Sequence, residues 1–231
     1  MNRFLLLCLL VTAPGCSAMM ETIDRGLALE KEGRTFERAS EFAKGRDAYA
    51  KAEVELAEGL VLAQGRKQQV FVSLMNHKLS LVSSGQARCV RPDNDPTGSW
   101  DAAMALFEQA GEYAMRSAFL KLKMLSVCDR ADCLRPDKNP ESTWEKAAAT
   151  YAEAAKISKD IDDDEGRGMA LRLQAICLME GKTDAKPNKV VKRLLQKARK
   201  LGDEDAADML LETDEGQFCV SCGSGLDAGT K

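Results

Sequence analysis

The strongest constraint on the fold is a segment that occurs twice. Residues 89–110 (CVRPDNDPTGSWDAAMALFEQA) and 133–154 (CLRPDKNPESTWEKAAATYAEA) align without a gap at a spacing of 44 residues, and nine of the 22 positions are identical. Self-similarity at a fixed period of roughly 20–50 residues is typical of helical repeat arrays. The duplication therefore predicts that the chain is built from copies of one structural unit.

Each copy reads as an irregular linker followed by a helix. Its two prolines exclude a regular helix through the linker. Ser99 and Thr143 directly precede a tryptophan and are predicted to cap the helices that follow. The helical period then puts an aromatic and small residues on one face of each helix: Trp100, Ala103, Phe107 and Ala110 in the first copy, and Trp144, Ala147, Tyr151 and Ala154 in the second.

A second helix is expected in each unit, because a further set of apolar residues follows. In the first unit, Ala110, Ala114, Ala118 and Leu122 are spaced by four and lead to Cys128. The corresponding stretch of the second unit ends at Cys177. A third unit repeats the spacing with Ala198, Gly202, Ala206 and Leu210, where Gly202 is predicted to end one helix and Asp203 to cap the next.

This ladder of small residues resembles Sel1-like repeats, which are relatives of the tetratricopeptide repeats. The spacing of Trp100 and Phe107, and of Trp144 and Tyr151, is also similar to the first helix of a tetratricopeptide unit. The resemblance covers roughly residues 89–212 and implies stacked helix pairs that bind proteins or peptides. The period of 44 is longer than usual for either family, and the Cys-Xaa-Arg-Pro-Asp linker is not a standard part of them.

The predicted fold class is all-α, a right-handed stack of helix–turn–helix repeats (a short α-solenoid) with disulfides. Aromatics make up only 5% of the residues, which favours Ala- and Leu-rich helices over a sheet. Helical patterns at residues 35–62 and 68–82, punctuated by Gly65 and Gly85, predict a further pair. The expected divisions are a signal peptide (1–15), a lipid-attached tether or short helix (16–34), an N-terminal helical pair (35–88), three repeats (89–132, 133–177 and the Sel1-like 178–215) and a flexible Cys-containing tail (216–231).

The first residues predict export. Arg3 is followed by eight apolar residues at 4–11, which suits a signal peptide and is too short for a membrane span. Residues 12–16 (TAPGC) resemble a lipobox, whose cysteine is lipidated after cleavage, so Cys16 is the predicted lipidation site. Cleavage after Ala18 and an uncleaved anchor are the alternatives. Position 17 holds Ser rather than the Asp associated with inner-membrane retention. This favours an anchor in the outer membrane, on its periplasmic face.

Six cysteines follow Cys16, an even number that suggests disulfides in an oxidising compartment. In a helical hairpin, the start of the first helix lies beside the end of the second. We therefore expect Cys89 to pair with Cys128 and Cys133 with Cys177, and Cys219 to form a local bridge with Cys222.

Catalytic motifs are lacking, and no cofactor, metal or small-molecule substrate is expected. The single histidine, His77, lies in an apolar helical pattern and is expected to be a packed or surface residue. Asp93 and Asp95 open a weak calcium-loop pattern that lacks the bidentate Glu, so Asx-turns and helix capping are preferred for Asp93 and its counterpart Asp137. The CxxC of Cys219 and Cys222 leaves a thiol redox or metal-binding protein as an alternative.

Two sets of side chains are candidates for binding. Arg91 and Arg135 recur in the linkers, but pairing with a carboxylate or a helix end explains them more simply. A basic run at 186–200 contains no acidic residue, and could meet an acidic partner or an anionic envelope component if it is more than a solvated helix face. The candidate binding surface consists of Lys189, Lys192, Arg193, Lys197 and Lys200.

Taken together, these patterns predict a non-enzymatic protein-binding or scaffold lipoprotein of the bacterial cell envelope. Its partners would be a protein or peptide and, through the lipid, a membrane. Nucleic acid is not expected as a partner, because the formal net charge is −3. A structural accessory subunit of an envelope complex is the other alternative.

Overall fold

The computed structural model describes residues 16–181 and 189–215. Within these ranges the chain is all-helical and contains no strand, which confirms the all-α class. The predicted signal peptide and the tail with Cys219 and Cys222 lie outside the described residues. The helices are α1 (Cys16–Arg38), α2 (Phe42–Gly65), α3 (Gln69–Cys89), α4 (Trp100–Arg116), α5 (Leu120–Asp132), α6 (Trp144–Asp160), α7 (Asp164–Glu180), α8 (Lys189–Lys200) and α9 (Glu204–Glu215).

The chain forms two compact units, and the boundary between them falls inside α5, between Ser126 and Val127. In the first unit, α2 packs against α1 and α3, α3 packs against α4, and α1 also touches α3. In the second unit, α6 packs on α7, α7 on α8, and α8 on α9. Each of these helices therefore packs mainly against its neighbours in the sequence.

Among the described helices, five pairs are joined by the same three-residue turn. Its middle residue has a positive φ, between 54° and 90°. The last residue of the turn donates its N–H to a carbonyl five residues back, as in Phe119 to Ala114 (3.2 Å) and Asp203 to Ala198 (3.2 Å). This satisfies the last carbonyls of the preceding helix. The middle residues are Ser40, Lys67, Ala118, Asp162 and Gly202.

These turns correct two predicted helices. The helix expected at residues 35–62 is interrupted by the turn at Ser40, so its first residues belong to α1. The ladder from Ala110 to Leu122 is interrupted at Ala118, and Ala110 and Ala114 therefore belong to α4 rather than to the second helix of the unit. In both cases the apolar spacing continues across a turn that contains no glycine.

The core of the first unit is built around Tyr49. A Cβ added to Gly33 would lie 2.8 Å from this ring, and one added to Gly85 would lie 2.4 Å from it. Gly85 thus lies inside α3 and admits the ring, rather than ending a helix as expected. The stretch predicted as a tether or short helix (16–34) forms most of α1. Its residues join those of α2 and α3 in one cluster, whose buried members include Met19, Ile23, Leu56, Met75, Leu79 and Val82.

The first helices of both repeats begin where the sequence predicted. The Ser99 hydroxyl accepts the N–H of Ala102, and the Thr143 hydroxyl accepts that of Lys146, each at 3.3 Å. Both caps are confirmed. Buried residues on the predicted faces are Ala103, Phe107 and Ala110 of α4, and Ala147, Tyr151 and Ala154 of α6.

The last hairpin, α8–α9, also follows its prediction. Gly202 has a φ of +90°, a conformation that favours glycine, and it ends α8. Asp203 then accepts the N–H of Ala206 at 2.8 Å, which caps α9. The apolar sides of the two helices are buried through Val191, Leu195, Ala198, Ala206 and Leu210.

Candidate functional site

Each repeat linker is held by an arginine that lies over a tryptophan. In the first linker, Arg91 Nε donates to Asp93 Oδ1 at 2.9 Å, and its guanidinium lies 5.6 Å from the centroid of Trp100. In the second, Arg135 donates to both oxygens of Asp137 at 3.1 and 2.8 Å and lies 5.8 Å from Trp144. The expected pairing of both arginines with carboxylates is confirmed.

The tryptophans are only half-buried, and the guanidinium covers part of each ring. This arrangement fixes the linker against the first turn of the next helix. The Arg, Asp and Trp of each linker therefore have a structural role, because the charges that a ligand would need are already paired with each other.

The Asx-turns of the linkers are formed by other residues than expected. Asp93 and Asp137 bind the arginines, whereas Asp95 Oδ1 accepts the N–H of Thr97 at 3.0 Å and Asn139 Oδ1 accepts that of Glu141 at 3.2 Å. The Asx-turn prediction for Asp93 and Asp137 was wrong because their side chains are bound to arginine instead. In the described ranges, no three His, Cys, Asp or Glu side chains are grouped so that they could hold a metal ion.

The cysteines that fall in the described ranges do not form the expected disulfides. Cys89, Cys128, Cys133 and Cys177 are all buried, and none of them lies at disulfide distance from another. The pairing prediction treated Cys89 as the start of a unit, but it is the last residue of α3. Cys128 lies within α5 and Cys133 directly follows it, so the assumed two classes of position do not exist.

Burial also makes these thiols poor nucleophiles. It raises the pKa of Cys89, Cys128 and Cys177 to about 12, because the thiolate is disfavoured away from water. The reactive form of a cysteine is the thiolate, so these three are suited to packing rather than redox chemistry. Cys89 Sγ, for example, would lie 3.1 Å from a Cβ added to Gly45.

His77 is a packed residue, as the sequence predicted. Its ring lies 4.3 Å from that of Phe119, measured between centroids. Partial burial, followed by the nearby charge of Lys78, lowers the pKa of His77. The next residue of α3, Lys78, pairs with a buried carboxylate: Glu30 of α1 lies within 3.2 Å of Lys78 and 3.3 Å of Arg34. Sequence reasoning missed this pair, because the helical pattern of α1 does not reveal which face is covered.

Helix α8 presents the basic residues expected of it. Its apolar side packs against α7 and α9 through Val191, Leu195 and Ala198, which leaves the opposite side in solvent. Lys192 is half-buried, while the other four members of the predicted surface are exposed: Lys189, Arg193, Lys197 and Lys200. An open depression lined by Gln196, Arg199 and Lys200 borders it.

No family model matches this chain, and neither the curated proteins nor the solved structures contain a match.

Proposed function

We propose that this chain is a non-enzymatic binding or scaffold protein of the bacterial cell envelope, held at a membrane by a lipid on Cys16. We propose further that its helix pairs are Sel1-like or tetratricopeptide-like repeats of a short right-handed α-solenoid. The observation that carries the binding role is the basic surface of α8, because it is exposed and of a single sign. The envelope location is supported by the leader and the lipobox-like residues before Cys16.

The basic surface is arranged as a row. Lys189, Arg193 and Lys197 follow one another at intervals of four, and Lys200 continues the line one turn later. Eleven helical positions at 1.5 Å each give a row about 16 Å long. Like charges at this spacing repel one another by a few tenths of a kcal/mol per pair. A partner with an acidic row of similar length would relieve this repulsion, so the expected partner is an acidic protein or peptide.

The test is crosslinking from α8 in membranes. A photo-crosslinking residue replaces Gln196, which is exposed beside the row, in the full chain and in two charge-reversed forms. Arg193→Glu/Lys197→Glu should abolish the crosslinked product, and moderate salt should weaken it in the parent. The matched control is Lys156→Glu/Lys159→Glu on the exposed side of α6, which should leave the product unchanged. An identical product from all three forms, or a product whose partner surface is not acidic, would overturn the proposal.

A further inference from the structure

The helix order places Cys16 at one particular end of the first unit. Helices α1 and α2 run antiparallel: Gly33 lies against Tyr49, Gly26 against Leu56, and Gly59 against Ile23. Each step towards the start of α1 is thus a step towards the end of α2. Cys16, the first residue of α1, therefore lies at the end of the unit where α2 stops and the turn to α3 begins.

The turn between α4 and α5 lies at this same end. Ser73, in the second turn of α3, donates its hydroxyl to the carbonyl of Ser117 at 2.9 Å, and Phe119 packs on His77. The start of α3 and the end of α4 are therefore adjacent. We refer to residues 16–20, 61–74 and 113–124 together as the Cys16 end.

Large apolar side chains are exposed at the Cys16 end. Val70 is 78% exposed, Met115 53% and Phe119 50%, with Leu74 and Leu120 close to 40%. The contacts of Ser73 and His77 bring the start of α3, which carries Val70 and Leu74, next to the α4–α5 turn, which carries Phe119 and Leu120. Grouped apolar surface of this kind marks a site of association.

The charges at the Cys16 end all have one sign. Its three segments contain five basic residues and no acidic one, although the whole chain has a formal charge of −3. The nearest carboxylate on α4, Glu112, lies one helical turn before Arg116 and pairs with it at 3.2 Å. The five basic residues are Arg66, Lys67, Arg116, Lys121 and Lys123.

We propose that the Cys16 end docks on an anionic lipid bilayer, with Val70, Met115 and Phe119 entering the boundary between headgroups and acyl chains. Exposed apolar side chains on segments that also carry Lys and Arg match a surface of acyl chains under anionic headgroups. The placement beside a lipidated N-terminus rests on the proposed function, whereas the apolar and basic surface is independent of it. Acyl chains tether a protein without orienting it, so this surface would hold the first unit end-on.

A second copy of the chain is a poorer occupant of the same surface. A symmetric dimer brings the same patch of both subunits together, so five cations would face five. An acidic protein segment matches the charge and is separated from lipid by the test below.

The experiment uses a tryptophan reporter to measure how deeply position 119 enters the bilayer. The processed protein is extracted from bacterial membranes and reconstituted in vesicles of equal parts phosphatidylethanolamine and phosphatidylglycerol with brominated acyl chains, which quench nearby tryptophan. Phe119→Trp is compared with Val54→Trp in the middle of α2, where the native side chain is 68% exposed against 50% for Phe119. Trp100 and Trp144 give the same background in both. We expect quenching of the Phe119→Trp signal to exceed that of Val54→Trp by about threefold or more.

Charge reversal supplies the second readout. Arg66→Glu/Lys67→Glu, on the exposed α2–α3 turn, should reduce quenching of Phe119→Trp to the Val54→Trp level, since each cation near an anionic surface contributes roughly fivefold in binding. Lys156→Glu/Lys159→Glu should leave quenching unchanged. Uncharged phosphatidylcholine vesicles should quench less.

The outcomes separate this inference from the proposed function. Equal quenching at positions 119 and 54 overturns the docking surface, and so does a dimer in detergent that Phe119→Ser dissociates. Intact-mass analysis of the same preparation shows whether Cys16 is acylated. An unacylated protein starting at Met19 overturns the lipid anchor, but quenching of its Phe119→Trp form would still support the docking surface.

Discussion

In the part of the chain that the structure describes, four residues other than glycine adopt the left-handed backbone conformation that ends a helix. Ser40, Lys67, Ala118 and Asp162 have φ between 54° and 61°. For residues with a Cβ, this region costs roughly 1 kcal/mol or more, and glycine is the usual occupant. The turn at Gly202 could be predicted from its glycine, whereas serine, lysine and alanine carry no signal of a positive φ.

Replacing Ala118 by glycine should therefore stabilise the protein. Ala118 is exposed, so Ala118→Gly removes the strain without leaving a cavity. We expect unfolding to require about 0.5–1 kcal/mol more free energy, measured by urea denaturation. The control is Ala105→Gly at an exposed position inside α4, which should lose about 1 kcal/mol. Two losses of similar size would show that the left-handed turn at Ala118 is absent in solution.

His77 should make stability depend on pH in a narrow window. Its pKa is lowered in the folded protein, so near the ordinary histidine pKa of about 6.5 the unfolded state binds more protons than the folded state. The contribution of His77 to the free energy of unfolding is therefore fully present above that pKa, and it is lost as the pH falls through it. His77 is the only histidine in the chain, so His77→Gln should remove this dependence from urea midpoints measured between pH 7.5 and 5.5. A midpoint that falls equally in the variant would assign the effect to other groups.

Among the elements, the α8–α9 hairpin depends most clearly on one side chain. Asp203 caps α9 through Ala206 and accepts from Arg172 Nε of α7 at 2.9 and 3.2 Å. It also lies against Gly168 of α7, whose added Cβ would be 3.2 Å from Asp203 Cβ. One residue thus starts a helix and attaches its hairpin to the preceding helix.

Asp203→Ala should lower the free energy of unfolding by about 2 kcal/mol, because it removes the cap and a largely buried partner of Arg172. Asp203→Asn should cost about half as much, since asparagine retains the cap. Urea denaturation gives the totals, and hydrogen exchange should show α9 opening first. Asp208→Ala, on the exposed side of α9, should change stability by no more than about 0.5 kcal/mol. Equal losses for the alanine and asparagine variants would indicate that Arg172, not the cap, dominates.

Local signals predicted the elements well where capping chemistry was present. Ser99, Thr143 and Asp203 each begin a helix as expected, because a short polar side chain before an apolar periodic run satisfies free N–H groups. The break at Ala118 was missed because the small residues keep their spacing on both sides of the turn.

At the scale of the whole molecule, contacts distant in sequence were the hardest to predict. The role of Gly85 depends on Tyr49 of another helix, and the disulfides were assigned by placing Cys89 at the beginning of a unit rather than at the end of α3. The basic surface of α8 was identified from sequence, because its charge and apolar residues alternate with the helical period. The exposed apolar side chains at the Cys16 end were not, since they come from two segments that are distant in sequence.

The nearest-neighbour packing of the helices has a consequence for biogenesis. Within each unit, a helix finds its main partner in the segment just before or after it. A chain with such local contacts closes only short loops as it folds, which makes folding fast. A chain that emerges from its N-terminus can therefore complete α1, α2 and α3 in succession before its last helices have appeared. At each stage of emergence, little apolar surface would then remain exposed for a chaperone to bind.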